Sequence, residues 1–235
     1  QVVLAWPAGT SGEGLIEFGV TVDSGNAITE VSGGVSGEGN NTATLRVASA
    51  PDLVVQNLRV DNASVFSGDT VTVRWSDVNT GVRPAATTWS DRVVVSNTTT
   101  GEVLFTSSVL HDSSHNAEGE LGAGASHARV FSFKLPDGLR GSGAIRIAVT
   151  ADVGLTSGQS EILEANAGGD AESNNGATLS FTSQQRTYAD LSASIVSAPA
   201  SARGGETATV AWRVSNLGPV GATGPWTDEV ILSRD

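Results

Sequence analysis

The chain contains no cysteine and no methionine, and its 13 basic residues include a single lysine, Lys134. Without cysteine there is no disulfide framework, no thiolate metal site and no thiol nucleophile. Without methionine the chain lacks its own translation start, which leads us to expect a processed product or an internal segment. No apolar run approaches the roughly 18–20 residues of a membrane-spanning helix, and no signal-peptide pattern is visible. The basic residues do not cluster, and the formal net charge is −12. That balance argues against nucleic acid or an anionic membrane as a partner.

What the chain does have is 28 glycines, with Ser, Thr, Val and Ala filling much of the rest. Charged residues make up 16%, and apolar residues reach 39%. Disordered chains pair charge with low hydrophobicity; here the apolar residues fall in alternating runs. The composition reads as all-β with many loops.

An internal repeat organises the chain. Residues 205–235 match residues 68–98 without a gap. Matched pairs include Trp75 with Trp212, Asn79 with Asn216, Gly81 with Gly218, Trp89 with Trp226 and Asp91 with Asp228. Upstream, Pro51-Asp52-Leu53 answers Ala189-Asp190-Leu191, one residue out of step. Residues 1–23 match residues 130–152, pairing Pro7 with Pro136, Gly12 with Gly141, Ile16 with Ile145 and Asp23 with Asp152. After a length difference the match resumes, with Glu38, Asn40 and Asn41 answering Glu172, Asn174 and Asn175. The repeat is about 137 residues long. We therefore expect residues 1–49 to be the C-terminal part of a preceding copy, 50–187 one complete copy, and 188–235 the N-terminal part of a following one. The chain reads as a window from a longer tandem array.

Within the complete copy, strands are expected around 53–60, 70–78, 92–96, 103–105, 128–135, 144–151 and 177–181. In the second of these Val71, Val73 and Trp75 alternate with Thr70, Thr72 and Arg74, the period-two pattern of a strand with one buried face. Turn clusters such as Asn79-Thr80-Gly81 and Pro136-Asp137-Gly138 separate the strands. No segment holds a 3.6-residue apolar period. Seven or eight short strands predict immunoglobulin-like antiparallel β-sandwich repeats in tandem, without the Cys…Trp…Cys pattern of true immunoglobulin domains.

Four motifs in a fixed order carry a family resemblance. The first is an opening Asp-Leu segment at Asp52-Leu53 and Asp190-Leu191. Next comes a G-[DE]-T-x-T-V-x-W strand leading into N-x-G, Gly68 to Gly81 and Gly205 to Gly218. W-[ST]-D-x-V-x-x-S follows at Trp89 to Ser96 and Trp226 to Ser233. The last is an acidic stretch ending Glu-x-Asn-Asn at Glu38 to Asn41 and Glu172 to Asn175. In these the chain resembles the CARDB family, the cell-adhesion-related domain found in bacteria. The resemblance implies an extracellular immunoglobulin-like module of large bacterial surface proteins, and no catalysis. It does not reach residues 99–129.

The acidic stretch is the best candidate site. Between Arg146 and Arg186 there is no basic residue, while Asp152, Glu161, Glu164, Asp170 and Glu172 gather with Asn166, Asn174 and Asn175. The first copy repeats this, with Asp23, Glu30, Glu38, Asn40 and Asn41 and no basic residue before Arg46. Calcium takes roughly six to eight oxygen ligands from carboxylates and carbonyls. Crowded carboxylates repel one another, and a divalent cation relieves that repulsion. We expect a structural Ca²⁺ ion bound by Asp152, Glu161, Glu164, Asp170, Glu172 and Asn174, and by Asp23, Glu30, Glu38 and Asn40 in the first copy. The spacing fits no EF-hand loop. The competing reading is an Asn-capped turn whose acids only keep the loop soluble.

Trp75 is expected in the core by its alternation. Trp89 and Trp226 are expected to pack at a domain edge, or else to form a glycan-stacking platform. His111, Asp112 and His115 form a weaker metal constellation, since no second cluster completes a tetrahedral site. No nucleophile elbow, zinc-protease helix or phosphate loop occurs, so no enzyme is expected. The functional expectation is a structural or adhesive tandem-repeat module of an extracellular bacterial protein, forming a stalk, sheath or filament. Its partners would be neighbouring repeats of the same or an identical chain. The alternatives are a glycan- or surface-binding adhesion module, or an accessory domain of a large secreted enzyme.

Overall fold

The computed structural model describes residues 1–114, 119–154 and 162–233. Among them are fourteen strands and four single-turn 3-10 helices. The strands are β1 (Gly14–Thr21), β2 (Val31–Ser32), β3 (Val35–Ser36), β4 (Thr42–Ser49), β5 (Leu53–Val60), β6 (Val65–Phe66) and β7 (Thr70–Asn79). They continue with β8 (Trp89–Asn97), β9 (Glu102–His111), β10 (Ser126–Lys134), β11 (Gly143–Val153), β12 (Gly176–Gln184), β13 (Leu191–Ser197) and β14 (Ala211–Asn216). No helix of the described residues is long and apolar enough to cross a membrane.

The chain divides into two compact units, Gln1–Gln184 and Gln185–Asp235. In the first, β5, β7 and β10 form an antiparallel sheet in the order β10-β7-β5. A second sheet runs β6-β12-β11-β8-β9, antiparallel except for the short parallel pairing of β6 with β12. One apolar cluster unites the two: Val55, Val71, Val73, Trp75 and Phe133 from the first sheet with Val93, Val95, Ile145, Ile147 and Val149 from the second. This is a β-sandwich. The alternation read from residues 70–78 is realised, with Val71, Val73 and Trp75 buried. The same alternation carries Asp77 and Asn79 onto the core face. A smaller cluster of Leu53, Ala85, Trp89, Leu121 and Ile162 lies beside it. Trp89 is fully buried there.

The first unit also contains an antiparallel ribbon of β1 and β4 and the small hairpin β2–β3. The ribbon pairs Gly14 with Ser49 and Thr21 with Thr42. Its sequence counterparts in β11 and β12 pair in the same register, Gly143 with Ser183 and Thr150 with Gly176. A 3-10 turn precedes each, Gly9–Gly12 and Gly138–Gly141. Both turns need glycine at their last position, because a Cβ on Gly12 or Gly141 would collide with the carbonyl oxygen of Pro7 or Pro136.

The second unit repeats the start of the sandwich. There β13 pairs with β14, Leu191 opposite Asn216, as Leu53 lies opposite Asn79 between β5 and β7. The polar clamps recur with it. Asn79 accepts from the Asp52 N–H (3.2 Å) and the Gly81 N–H (3.0 Å) and donates to the Arg83 carbonyl (2.7 Å). Asn216 accepts from the Asp190 N–H (2.9 Å) and the Gly218 N–H (3.0 Å) and donates to the Val220 carbonyl (2.6 Å).

Candidate functional site

The site begins where β11 breaks register. Its pairing with β8 shifts between Thr150 and Val153, and Asp152 adopts a left-handed backbone, φ 52°. Aspartate tolerates that region better than most side chains. The bulge leaves the Asp152 side chain buried, with its carboxylate oxygens accepting from the Ile162 N–H at 3.2 and 3.1 Å. Two residues on, Glu164 is also buried. One of its oxygens accepts from the Leu53 N–H at 2.7 Å, so the loop is tied to the first residue of β5. Glu172, on the 3-10 turn Ala171–Ser173, reaches back to accept from the Glu164 N–H at 3.1 Å.

These three carboxyls converge. One oxygen of each of Asp152, Glu164 and Glu172 lies within 4.8 Å of the others. Oxygens bound to a common calcium at about 2.4 Å stand at most about 4.8 Å apart, so the trio can share one ion. The second Glu164 oxygen is buried without a hydrogen-bond partner, and so is the Oδ1 of Asn175. Such orphaned acceptors are costly in a folded protein and call for a ligand or a water. Burial pushes the Glu164 carboxyl up to about 8, the Asp152 and Glu172 charges add to the rise, and the Leu53 N–H and the Asn175 side chain oppose it. The donors are hard oxygens throughout, suited to Ca²⁺ or Mg²⁺.

Asp52 holds the loop from the other side. It is buried, and its carboxylate accepts from Thr80 Oγ1 (2.8 Å), Asn174 Nδ2 (2.9 Å) and Asn166 Nδ2 (3.3 Å). The opening strand, the N-x-G turn and the acidic loop therefore meet at one side chain. Sequence reasoning used Asp52 only as a motif marker. Its recurrence as Asp190 was the available signal for a structural role.

The remaining expected ligands are placed differently. Glu161 and His115 lie outside the described residues. Asp170 is exposed at the N-cap of the Ala171–Ser173 turn. Asn174 spends its amide nitrogen on Asp52, leaving its Oδ1 without a partner. In the first copy the hydrogen bonds recur: Asp23 (φ 44°) accepts from the Ile28 N–H at 2.8 Å, and Glu38 from the Glu30 N–H at 3.1 Å. Among the described residues, however, Asp23, Glu30 and Glu38 do not converge as the other three do. Glu30 is only half-buried and Asn40 is exposed, whereas Glu164 is packed against β5. His111 stacks on Trp89, with ring centroids 3.6 Å apart, and its Nε2 lies 2.9 Å from the Gly119 carbonyl. Asp112 instead caps Ser114, through its N–H at 3.0 Å and its hydroxyl at 2.6 Å. His111 and Asp112 belong to no acidic group among the described residues.

A second polar centre went unread in the sequence. Asp77 and Asp91 are both fully buried and share one guanidinium, Arg129 Nε at 3.3 and 3.1 Å. Trp75 Nε1 donates to both, at 3.1 and 3.0 Å. Two buried acids facing one cation retain a proton. Burial, helped by the Asp91 charge, pushes the Asp77 carboxyl up to about 9.

No family model and no curated protein matches the chain. Among solved structures it resembles the CARDB domain of a Pyrococcus furiosus protein, crystallised in complex with di-metal ions. Identity is 18%, covering 60% of this chain and 99% of that one, with a TM-score of 0.39. The solution structure of the same domain gives 21%, 59%, 99% and 0.39. β-Glucosidase 3B from Thermotoga neapolitana, in complex with α-D-glucose, is similar over 57% of this chain and 16% of its own, at 15% identity and a TM-score of 0.34.

Proposed function

We propose that the chain is a structural or adhesive tandem-repeat module of an extracellular bacterial protein, part of a stalk, sheath or filament, with no reaction of its own. In this reading residues 50–187 are a complete immunoglobulin-like repeat, and 1–49 and 188–235 belong to its neighbours. The observation that carries it is the recurrence of one set of side-chain clamps. The Asn79 clamp returns at Asn216, the Trp75-to-Asp91 bond at Trp212-to-Asp228, 2.9 Å, and the Glu164–Glu172 link at Glu30–Glu38. Polar clamps that are buried in residues 50–187 and recur at matched positions on either side serve to hold a scaffold in one shape. The buried Trp89 offers no platform for a sugar in the complete repeat.

Asp152, Glu164 and Glu172 hold a Ca²⁺ ion in this module, with Asn175 Oδ1 as a further donor. The ion pins the acidic loop to β5 and neutralises carboxylates that otherwise repel. It stabilises without catalysing. Calorimetric unfolding of the full chain in calcium and in EDTA tests this. At a hundredfold excess over Kd, calcium is expected to add about 2.7 kcal/mol. An identical midpoint in calcium and in chelator overturns the ion. Electron microscopy of the native material tests the assembly: extended, beaded fibres support it, and compact isolated particles contradict it.

A further inference from the structure

Residues 50–52 connect β4 to β5, and all three are buried. Two neighbours grip this connector. One is the turn after β7. There the Ala50 carbonyl accepts from the Val82 N–H at 3.0 Å, and the Asp52 carbonyl from the Thr80 N–H at 2.7 Å. The approach is so close that a Cβ on Gly81 would stand 2.4 Å from the Ala50 oxygen. The other neighbour is the acidic loop. The Pro51 carbonyl accepts from the Ala165 N–H at 3.1 Å. The Asp52 carboxylate accepts from Asn166 and Asn174, and the Leu53 N–H donates to Glu164. Three successive residues are thus held by the loop that carries the candidate cation ligands.

The β1–β4 ribbon seats against the same loop. Gly14 and Leu15 of β1 face Leu163, Glu164 and Glu172 across a groove of about 240 Å³. Glu13, just ahead of β1, pairs with Arg83 beyond the turn at 3.2 Å. The two grips differ in what they depend on. The turn's hydrogen bonds involve no ion ligand. The loop's depend on the shape that brings Asp152, Glu164 and Glu172 within 4.8 Å of one another. Without a cation those carboxylates repel, and buried acceptors on Glu164 and Asn175 lack a hydrogen-bond partner. The loop is then the part of the unit that opens at least cost.

We propose that the cation site is the lock of this joint. Ca²⁺ at Asp152, Glu164 and Glu172 closes the loop on residues 50–52 and holds the ribbon at one angle to the sandwich. Its loss leaves the connector to pivot on the turn at Gly81. A ligand shifts such an equilibrium by its differential affinity for the two states, and only the closed loop assembles all three ligands. The inference rests on the ion and repeat readings above. Under the second, the ribbon belongs to the preceding repeat, so the joint lies between repeats and calcium sets the stiffness of the stalk.

The chain has no cysteine, so paired nitroxide labels attach without background. Thr44→Cys/Thr106→Cys puts one exposed label on the ribbon and one on β9 of the sandwich. Their distance distribution in the full chain, read by double electron–electron resonance, should be narrow in calcium and about twice as wide in EDTA. Arg59→Cys/Thr106→Cys, with both labels in the sandwich, should stay narrow in both and reports that the sandwich is intact. With Glu164→Gln added to the first pair, calcium should no longer change the width; a retained response overturns the lock. Isothermal titration of the labelled chains with calcium separates the failures. Calcium binding with equal widths in calcium and EDTA overturns the lock and leaves the ion. No calcium binding overturns the ion reading, and the lock with it. A sandwich pair that widens equally in EDTA also overturns the lock, since the ion would then hold the sandwich as a whole.

Discussion

At the scale of single residues, the molecule buries more acid than it neutralises. Asp77 and Asp91 lie on the core face of their strands with one arginine between them. A carboxyl whose folded pKa is raised binds its proton more tightly in the folded state. Its contribution is complete below the ordinary 3.8 and is lost as pH rises to about 9. Over that window stability falls at up to roughly 1.4 kcal/mol per pH unit. Asp77→Asn keeps the shape of the protonated acid and cannot ionise. Urea unfolding from pH 5 to 9 is expected to fall clearly less steeply for this variant than for the parent chain. Equal slopes would mean that Asp77 is not the group holding the proton. Arg129→Leu strips the cation from both acids and should destabilise by roughly 3–5 kcal/mol in the same assay. The alternation of Val71, Val73 and Trp75, carried two residues further, puts Asp77 on the inner face. That Arg129 would meet it was not legible, because β10 approaches from a distant part of the sequence.

At the scale of elements, the strands and their faces were legible because period-two patterning depends on neighbours along the chain. The acidic loop was legible as a composition, but its geometry was not. Which acids converge depends on the β11 bulge at Asp152 and on the Leu53 N–H, which meets Glu164 across 111 residues. This is why Glu164 and Glu172 meet Asp152 while Asp170 stays in solvent. Asn79 shows how such loops are held. It serves the Asp52 and Gly81 N–H groups and the Arg83 and Leu121 carbonyls at once. Asn79→Ala leaves buried groups unpaired and should cost roughly 1–3 kcal/mol for each one stranded, read as a lower urea midpoint. Gly141→Ala drives a methyl into the Pro136 carbonyl and should lower the midpoint too. An exposed glycine with open space, such as Gly39, should tolerate the same change within ~0.5 kcal/mol, the range of ordinary surface substitutions.

At the scale of the whole molecule, the repeat was the most legible feature, since it needs only the chain compared with itself. Matched positions share hydrogen bonds as well as strands, down to the acceptors Asn79 Oδ1 and Asn216 Oδ1. The repeat could not foretell the different fates of equal motifs. The acidic motif closes into a converging trio around the buried Asp152 and Glu164 in one copy and stays open in the first, where Glu30 is only half-buried. Burial that depends on tertiary neighbours separates them. The central claim is that the complete repeat is pinned by one cation at Asp152, Glu164 and Glu172. Isothermal titration of the full-length chain with calcium tests it most directly, run beside Glu164→Gln and Asp23→Asn. The account predicts one site per chain, abolished by Glu164→Gln and untouched by Asp23→Asn. Absence of binding by the parent chain, or a site that survives Glu164→Gln, would contradict it.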